Sequence, residues 1–102
     1  MSIRTHRVEI DRIDRALVKL LNRRARHSLA IGRMKARAGM PLFHRQREQQ
    51  IAHNVRHANR GPLPDKNIQH MFEEILRATR AAVRRALRAE RRAASKARGW
   101  KR

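Results

Sequence analysis

The sequence predicts an all-α fold: a three-helix protomer with a long first helix, assembled as an intertwined homodimer. Apolar residues recur every three or four positions through most of the chain, as in helices with one buried face. Two loop signals, Gly39-Met40-Pro41 and Gly61-Pro62-Leu63-Pro64, divide this pattern into three segments. No segment alternates apolar and polar residues in the manner of a half-buried strand.

The first helix is expected from Val8 to about Arg37, a stretch without proline and with Gly32 as its single glycine. Its apolar stripe consists of Ile10, Ile13, Leu17, Leu20, Leu21 and Ile31. A helix of about 30 residues is roughly 45 Å long, about twice the length of the second helix. Because one protomer cannot cover such a stripe, it favours a twofold dimer in which the long helices pack together. An isolated three-helix bundle is the alternative.

The second helix is expected from about Arg45 to Ala58, with Ile51 on its apolar face. The third begins near Asp65, which we interpret as an N-cap, and continues through apolar positions to Val83. An Ala- and Arg-rich segment follows.

The end of the chain is strongly basic. Nine Lys or Arg residues and one acid, Glu90, occur from Arg84 onwards. We therefore divide the chain into a helical domain, residues 1–90, and a basic C-terminal tail, residues 91–102. The tail is interpreted as a solvated helical extension that ends towards Gly99, with a nucleic-acid-binding or partner-binding arm as the alternative. Trp100 is a candidate anchor on a partner.

Composition restricts the possible functions. The chain has 102 residues, enough for one domain, and its 27 Lys and Arg against 8 Asp and Glu give a net charge of +19, which favours nonspecific binding of polyanions. Only Phe43, Phe72 and Trp100 are aromatic, too few for a single-strand reader that stacks bases. Without Cys, disulfides and thiolate zinc sites are excluded. No apolar run suggests a signal peptide or membrane span, so the expected location is cytoplasmic.

Two cations lie on the apolar stripe of the first helix. Arg24 and Lys35 share one helix face with Ser28 and Ile31, at spacings of four, three and four residues. A cation that faces a core needs an anionic partner, and the helix offers none nearby. The alternative is that both side chains extend to the rim of the core. Arg47 precedes Ile51 by one helical turn and lies at the edge of the second buried face.

Taken together and in order, several short segments resemble the all-helical, type II chorismate mutase family. The segments are RVEIDRID at 7–14, LLNRR at 20–24, IGRMK at 31–35, GMP at 39–41, RE at 47–48, NRGPL at 59–63, and the helical stretch 68–79. The match extends from about Arg7 to Val83. It implies an isomerase that rearranges chorismate to prephenate in phenylalanine and tyrosine biosynthesis, on the shikimate pathway, with no metal or other cofactor.

The resemblance also implies a set of site residues. Arg7, Arg24 and Arg47 match the arginines that bind the two substrate carboxylates, and guanidinium groups suit that task because they pair with carboxylates bidentately. Lys35 matches the lysine that donates to the ether oxygen, and Glu48 the acid that binds the ring hydroxyl. In addition, Thr79 matches the position where a small hydroxyl residue usually helps to bind a carboxylate.

Distance along the first helix indicates a pocket shared by two chains. Arg7 and Arg24 are separated by 17 residues, roughly 25 Å along a helix and too far for one small ligand. If both bind the same substrate, one of them comes from the partner subunit.

The chain departs from the family pattern at two positions. Val83 stands where Gln or Glu usually gives the ether oxygen a second hydrogen-bonding partner, and Arg80 and Arg84 are candidate substitutes. His44 stands where an Asp often precedes the Arg-Glu pair.

Three alternatives to a chorismate mutase stay open at this point. They are a weak or inactive relative that serves as a binding or regulatory module for an aromatic-pathway enzyme, a basic helical nucleic-acid binder, and an isochorismate lyase on the same scaffold. None of the six His residues shows a recognised zinc spacing, and we expect all of them at the surface.

Overall fold

The structure, a computed structural model, describes residues 2–100, with side chains up to Gly99. Three helices account for most of this range: α1 (Ile3–Arg37), α2 (Arg45–Ala58) and α3 (Asp65–Trp100). The all-α prediction is therefore confirmed for the described residues. The proposed anchoring role of Trp100 and the last two cations of the tail lie outside the described side chains.

Helix α1 begins five residues earlier than Val8, the predicted start. Ser2 explains the difference because its side chain caps the helix and accepts a hydrogen bond from the Thr5 backbone N–H at 3.1 Å. At the other end, Gly39 adopts φ 67°, and the Met40 N–H donates to the Lys35 carbonyl at 2.9 Å. A left-handed residue just past the last turn stops a helix and redirects the chain towards α2.

Helix α2 has the predicted bounds, whereas the start of α3 needs a correction. Asp65 is the first residue of the helix and not its N-cap, so that prediction was wrong by one position. Its carboxylate accepts a hydrogen bond from the Asn59 side-chain amide at 2.6 Å, which ties the α2–α3 loop to the first turn of α3. Helix α3 then continues without interruption across residue 90 and through Gly99. The division of the chain into two regions at residue 90 stays a prediction.

Helix α3 packs against both α1 and α2, and the resulting protomer is long and thin, 68 × 32 × 15 Å. Among the described residues, Ile51 and Val83 are the only buried apolar side chains. The apolar stripe in the N-terminal half of α1 is about half exposed, as Ile13 at 55% and Leu20 at 57% illustrate. One chain thus leaves most of this stripe uncovered. No helix within the described range is both long and apolar enough to cross a membrane.

Candidate active site

A cleft of about 250 Å³ lies between the C-terminal half of α1, the start of α2 and the middle of α3. Six of the seven site residues implied by the resemblance line it: Arg24, Lys35, Arg47, Glu48, Thr79 and Val83. The seventh, Arg7, lies exposed near the N-terminus of α1 and is not part of this cleft.

The α1 wall of the cleft is the face that helical spacing predicted. Arg24, Ser28, Ile31 and Lys35 all line it, so neither cation is directed away from the cleft. Lys35 is partly buried, and its ammonium Nζ donates to the Leu42 carbonyl at 3.4 Å. This long hydrogen bond holds the ammonium beside the α1–α2 loop and leaves its other two N–H groups available for a ligand.

Two arginines give the cleft a strongly positive wall. Partial burial lowers the pKa of Arg24 below its usual value, and the nearby positive charge of Arg47 lowers it further. No described carboxylate forms an ion pair with either side chain, although Arg47 donates to Gln50 Oε1 at 2.7 Å. A ligand carboxylate between the two guanidinium groups would relieve both the desolvation and the repulsion.

Glu48, the acid of the site, forms an ion pair with Arg80. The Arg80 guanidinium also lies over the Phe43 ring, 5.1 Å from its centroid, a cation–π contact that fixes the side chain in the wall of the cleft. Its Nε atom is buried and has no hydrogen-bond partner among the described residues. Arg80 therefore holds the acid in place and keeps an unused donor next to the cleft.

Helix α3 contributes Thr79 and Val83 to the cleft. The Thr79 hydroxyl donates its one hydrogen to the Ile75 carbonyl at 2.7 Å, so in this conformation it can accept a further hydrogen bond but not donate one. Val83 is 2% exposed and packs closely on α1: a Cβ atom at Gly32 would lie 2.8 Å from Val83 Cγ1. The absence of a side chain at Gly32 is what allows the two helices to approach here. Val83 itself presents only methyl groups.

Sequence reasoning placed Arg80 only among possible substitutes and missed Phe43, Leu42 and Gly32 as cleft residues. Arg80 could have been found, because it follows Leu76 by four residues and precedes Val83 by three, on the same face of α3. The loop residues Leu42 and Phe43 carry no periodicity, so no local pattern marks them.

The histidines take no part in a recognisable metal centre. All six are exposed, as expected, and no three His, Asp or Glu side chains lie together in the described range in an arrangement able to hold a metal ion. His44 lines the cleft and occupies the N-cap position of α2, but its side chain makes no capping hydrogen bond there.

Comparisons with known proteins agree on one family. The sequence profile described as chorismate mutase type II matches residues 6–84. Bifunctional chorismate mutase/prephenate dehydratases are similar: that of Neisseria gonorrhoeae is 37% identical over 71 residues, covering 70% of this chain and 19% of the relative. That of Aquifex aeolicus is 36% identical over 76 residues, covering 71% and 21%. The chain thus spans about a fifth of the length of these relatives.

Solved structures are similar over most of their length. The chorismate mutase of Thermus thermophilus, form II, superposes with a TM-score of 0.79 at 34% identity, covering 81% of this chain and 94% of the other. Form I of the same protein gives a TM-score of 0.74 at 35% identity, covering 76% and 96%.

Proposed function

Because this chain belongs to the chorismate mutase type II family, we propose that it catalyses the rearrangement of chorismate to prephenate. The observation that carries the proposal is the cleft itself, in which Arg24, Arg47 and Lys35 converge next to a single acid, Glu48. Chorismate is a dicarboxylate with an ether oxygen and a ring hydroxyl, and each of these groups has a complementary side chain here.

The reaction suits a site that works by positioning and electrostatics. One carbon–oxygen bond breaks as one carbon–carbon bond forms, and no atom enters or leaves the molecule. Arg24 and Arg47 bind carboxylate groups and hold the enolpyruvyl chain folded over the ring, which brings the reacting carbons together. The Lys35 ammonium stabilises the negative charge that grows on the ether oxygen. Glu48, kept in place by Arg80, accepts a hydrogen bond from the ring hydroxyl.

The second donor to the ether oxygen comes from Arg80 in this proposal. Val83 cannot donate, whereas Arg80 lines the same cleft and pairs with Glu48 through Nη2, which leaves further guanidinium N–H groups for a ligand. Arg84 is the weaker candidate, because it contacts the Phe43 ring but does not line this cleft. An arginine would compensate for the missing amide with a full charge.

The active form in this proposal is a homodimer. The half-exposed stripe of α1, including Ile13 and Leu17, supports pairing with a second copy, because contiguous apolar surface of this kind favours association. In that arrangement Arg7 of the partner subunit completes the carboxylate site. A cytoplasmic location belongs to the same proposal. We expect Leu17→Asp to give a monomer in sedimentation experiments at micromolar concentration; a dimer that persists would contradict this interface.

The deciding experiment follows chorismate loss and prephenate formation with the purified chain. We expect Lys35→Ala to lower turnover by about a hundredfold or more. Arg26→Ala is the matched control, since Arg26 is an exposed cation of α1 that lies outside the cleft. Equal activity of wild type and Lys35→Ala would refute the assigned site.

A second candidate, a catalytically weak module that binds an aromatic-pathway enzyme, is favoured by Val83, which removes a usual hydrogen bond. It predicts chorismate binding with little turnover by the wild-type chain. Consumption of isochorismate instead would indicate the lyase chemistry.

A further inference from the structure

The C-terminal part of α3 extends beyond the fold that the family explains. The chorismate mutase profile ends at residue 84, yet α3 continues to Trp100. This extension carries six exposed cations, which we call the basic stripe: Arg85, Arg88, Arg91, Arg92, Lys96 and Arg98. None of them lines the candidate active site. The proposed reaction therefore does not account for them.

The charges are segregated around the helix. At 100° per residue, the six cations fall within an arc of about 160°. Leu87 lies outside this arc and faces α1, with its Cδ1 3.6 Å from the position a Cβ would take at Gly32. Glu90, the single acid of the extension, is also outside the arc and accepts hydrogen bonds from Arg33 Nε at 2.9 Å and Nη2 at 2.6 Å. The basic stripe is thus free of carboxylates, because Glu90, the one acid of the extension, lies outside the arc and pairs with Arg33 of α1.

We propose that the basic stripe binds double-stranded DNA without sequence preference, with α3 lying along the major groove. From Arg85 to Arg98 the stripe is roughly 20 Å long, and it faces a polymer that carries one negative charge per about 1.7 Å of its axis. A helix with side chains is about 10–12 Å wide, which matches a major groove of about 12 Å. Exposed Arg and Lys side chains on such a helix reach phosphates on both edges of the groove.

Other polyanions fit the stripe less well. A membrane surface would need large apolar side chains on the opposite face of the extension, but that face has alanines and a single leucine, Leu87, which already packs on α1. Single-stranded nucleic acid is held by base stacking, and residues 85–99 contain no aromatic side chain. The major groove of duplex RNA is too deep and narrow for a helix.

The test measures fluorescence anisotropy of a labelled duplex of random sequence, about 20 base pairs long, with the full chain. A quadruple variant changes Arg88, Arg91, Arg92 and Lys96 to Gln, a residue that also favours helix. A control variant changes Arg26, Arg56, Arg60 and Lys66 to Gln, which removes the same charge from exposed positions away from the stripe. We expect micromolar binding by wild type near physiological salt. The stripe variant should bind at least about tenfold more weakly than the control variant.

Salt dependence tests the same contacts independently. The slope of log K against log salt is negative, and each lost phosphate contact should make it about 0.9 less negative. The single variant Arg92→Gln should therefore flatten the slope by about one, even if the quadruple variant folds poorly. Equal losses in the stripe and control variants would overturn the proposal, because binding would then come from total charge. Tighter binding to duplex RNA or to anionic vesicles than to DNA would overturn it as well. Chorismate turnover of a folded stripe variant should equal that of wild type, so the DNA-binding result does not depend on the proposed activity.

Discussion

The two halves of α1 depart from the usual burial of side chains in different ways. In the N-terminal half, large apolar side chains such as Ile13 and Leu20 are more than half exposed. In the C-terminal half, Arg24 and Lys35 are partly buried in the cleft. Both patterns are unfavourable for an isolated chain, because apolar surface favours burial and cations favour water. The difference fits the two partners proposed above: a second apolar surface for one half and an anion for the other.

The largest expected effect comes from substituting one site residue in each half of α1 and then mixing the two variants. Arg7→Ala and Arg24→Ala should each lower turnover by about a hundredfold or more, which corresponds to at least about 2.7 kcal/mol of transition-state stabilisation. If each pocket uses Arg7 of one chain and Arg24 of the other, a mixed dimer regains one intact pocket. An equal mixture, with random exchange of subunits, should then recover about a quarter of wild-type turnover. The rate of the mixture is compared with those of the separate variants.

The control for this experiment is a mixture of Arg24→Ala with Lys35→Ala. Both residues belong to the same half of α1, so every mixed pocket retains one defect and no recovery is expected. Recovery in the control, or none in the Arg7 mixture, would contradict a pocket shared in this way.

The second effect concerns the α3 wall that faces the C-terminal half of α1. In the Arg80→Ala background, Val83→Gln should restore a donor next to the ether oxygen and raise turnover by about tenfold, equivalent to about 1.4 kcal/mol. Some stability should be lost, because a longer, polar side chain replaces a side chain that is 2% exposed and packed on Gly32. Steady-state kinetics and thermal melts measure the two changes.

The effect of Val83→Gln depends on whether Arg80 already donates to the ether oxygen, and this dependence can be measured. If Arg80 already donates to the ether oxygen, Arg80→Ala should lower turnover strongly in the wild-type background and less in the Val83→Gln background. Arg84→Ala, a neighbouring cation outside the cleft, should be nearly neutral in both. Because Arg80 also holds Glu48, the KM for chorismate should rise together with the fall in kcat.

The sequence could predict features that depend on spacing within one helix, but not those that depend on packing between helices. Helical spacing predicted the face that carries Arg24 and Lys35, because side chains four residues apart on one helix must be neighbours. The early start of α1 was missed because one serine cap, Ser2, extends the helix beyond the apolar pattern. Spacing on α1 alone could not reveal the close contact between Gly32 and Val83, which belong to helices far apart in the sequence. Contacts of this kind depend on how helices pack.

The third effect tests that contact. Gly32→Ala should lower the free energy of unfolding by about 1 kcal/mol, because overpacking against buried Val83 costs about 1–3 kcal/mol and helix propensity returns at most about 1 kcal/mol. Gly99→Ala is the matched control, since no described atom beyond its neighbours in the helix lies within 4 Å of the added methyl group. Urea unfolding should show the loss at Gly32 only. Equal changes at both glycines would mean that α1 and α3 are not in close contact here.

The smallest effect compares one ion pair from each half of α1. In the C-terminal half Arg33 joins α1 to Glu90 of α3, whereas in the N-terminal half Arg12 pairs with Glu9 within α1 itself. The hydrogen bond from Arg33 is the main cause that lowers the pKa of Glu90 below its usual value. A carboxyl group whose pKa is lower in the folded state stabilises the fold above its unfolded pKa, and this stabilisation is lost as pH falls through the lower, folded value.

Glu90→Gln should therefore lower the melting temperature slightly near neutral pH, and the difference from wild type should disappear in acid. The effect is small because both side chains of the pair are nearly half exposed, at 44% and 46%, where water and salt screen the attraction. Glu9→Gln is the control and should change the melting temperature less, because its pair connects residues that the helix already holds together. A Glu90→Gln difference that stayed constant from about pH 7 to about pH 3 would mean that packing of the side chain, and not its charge, links α3 to the C-terminal half of α1.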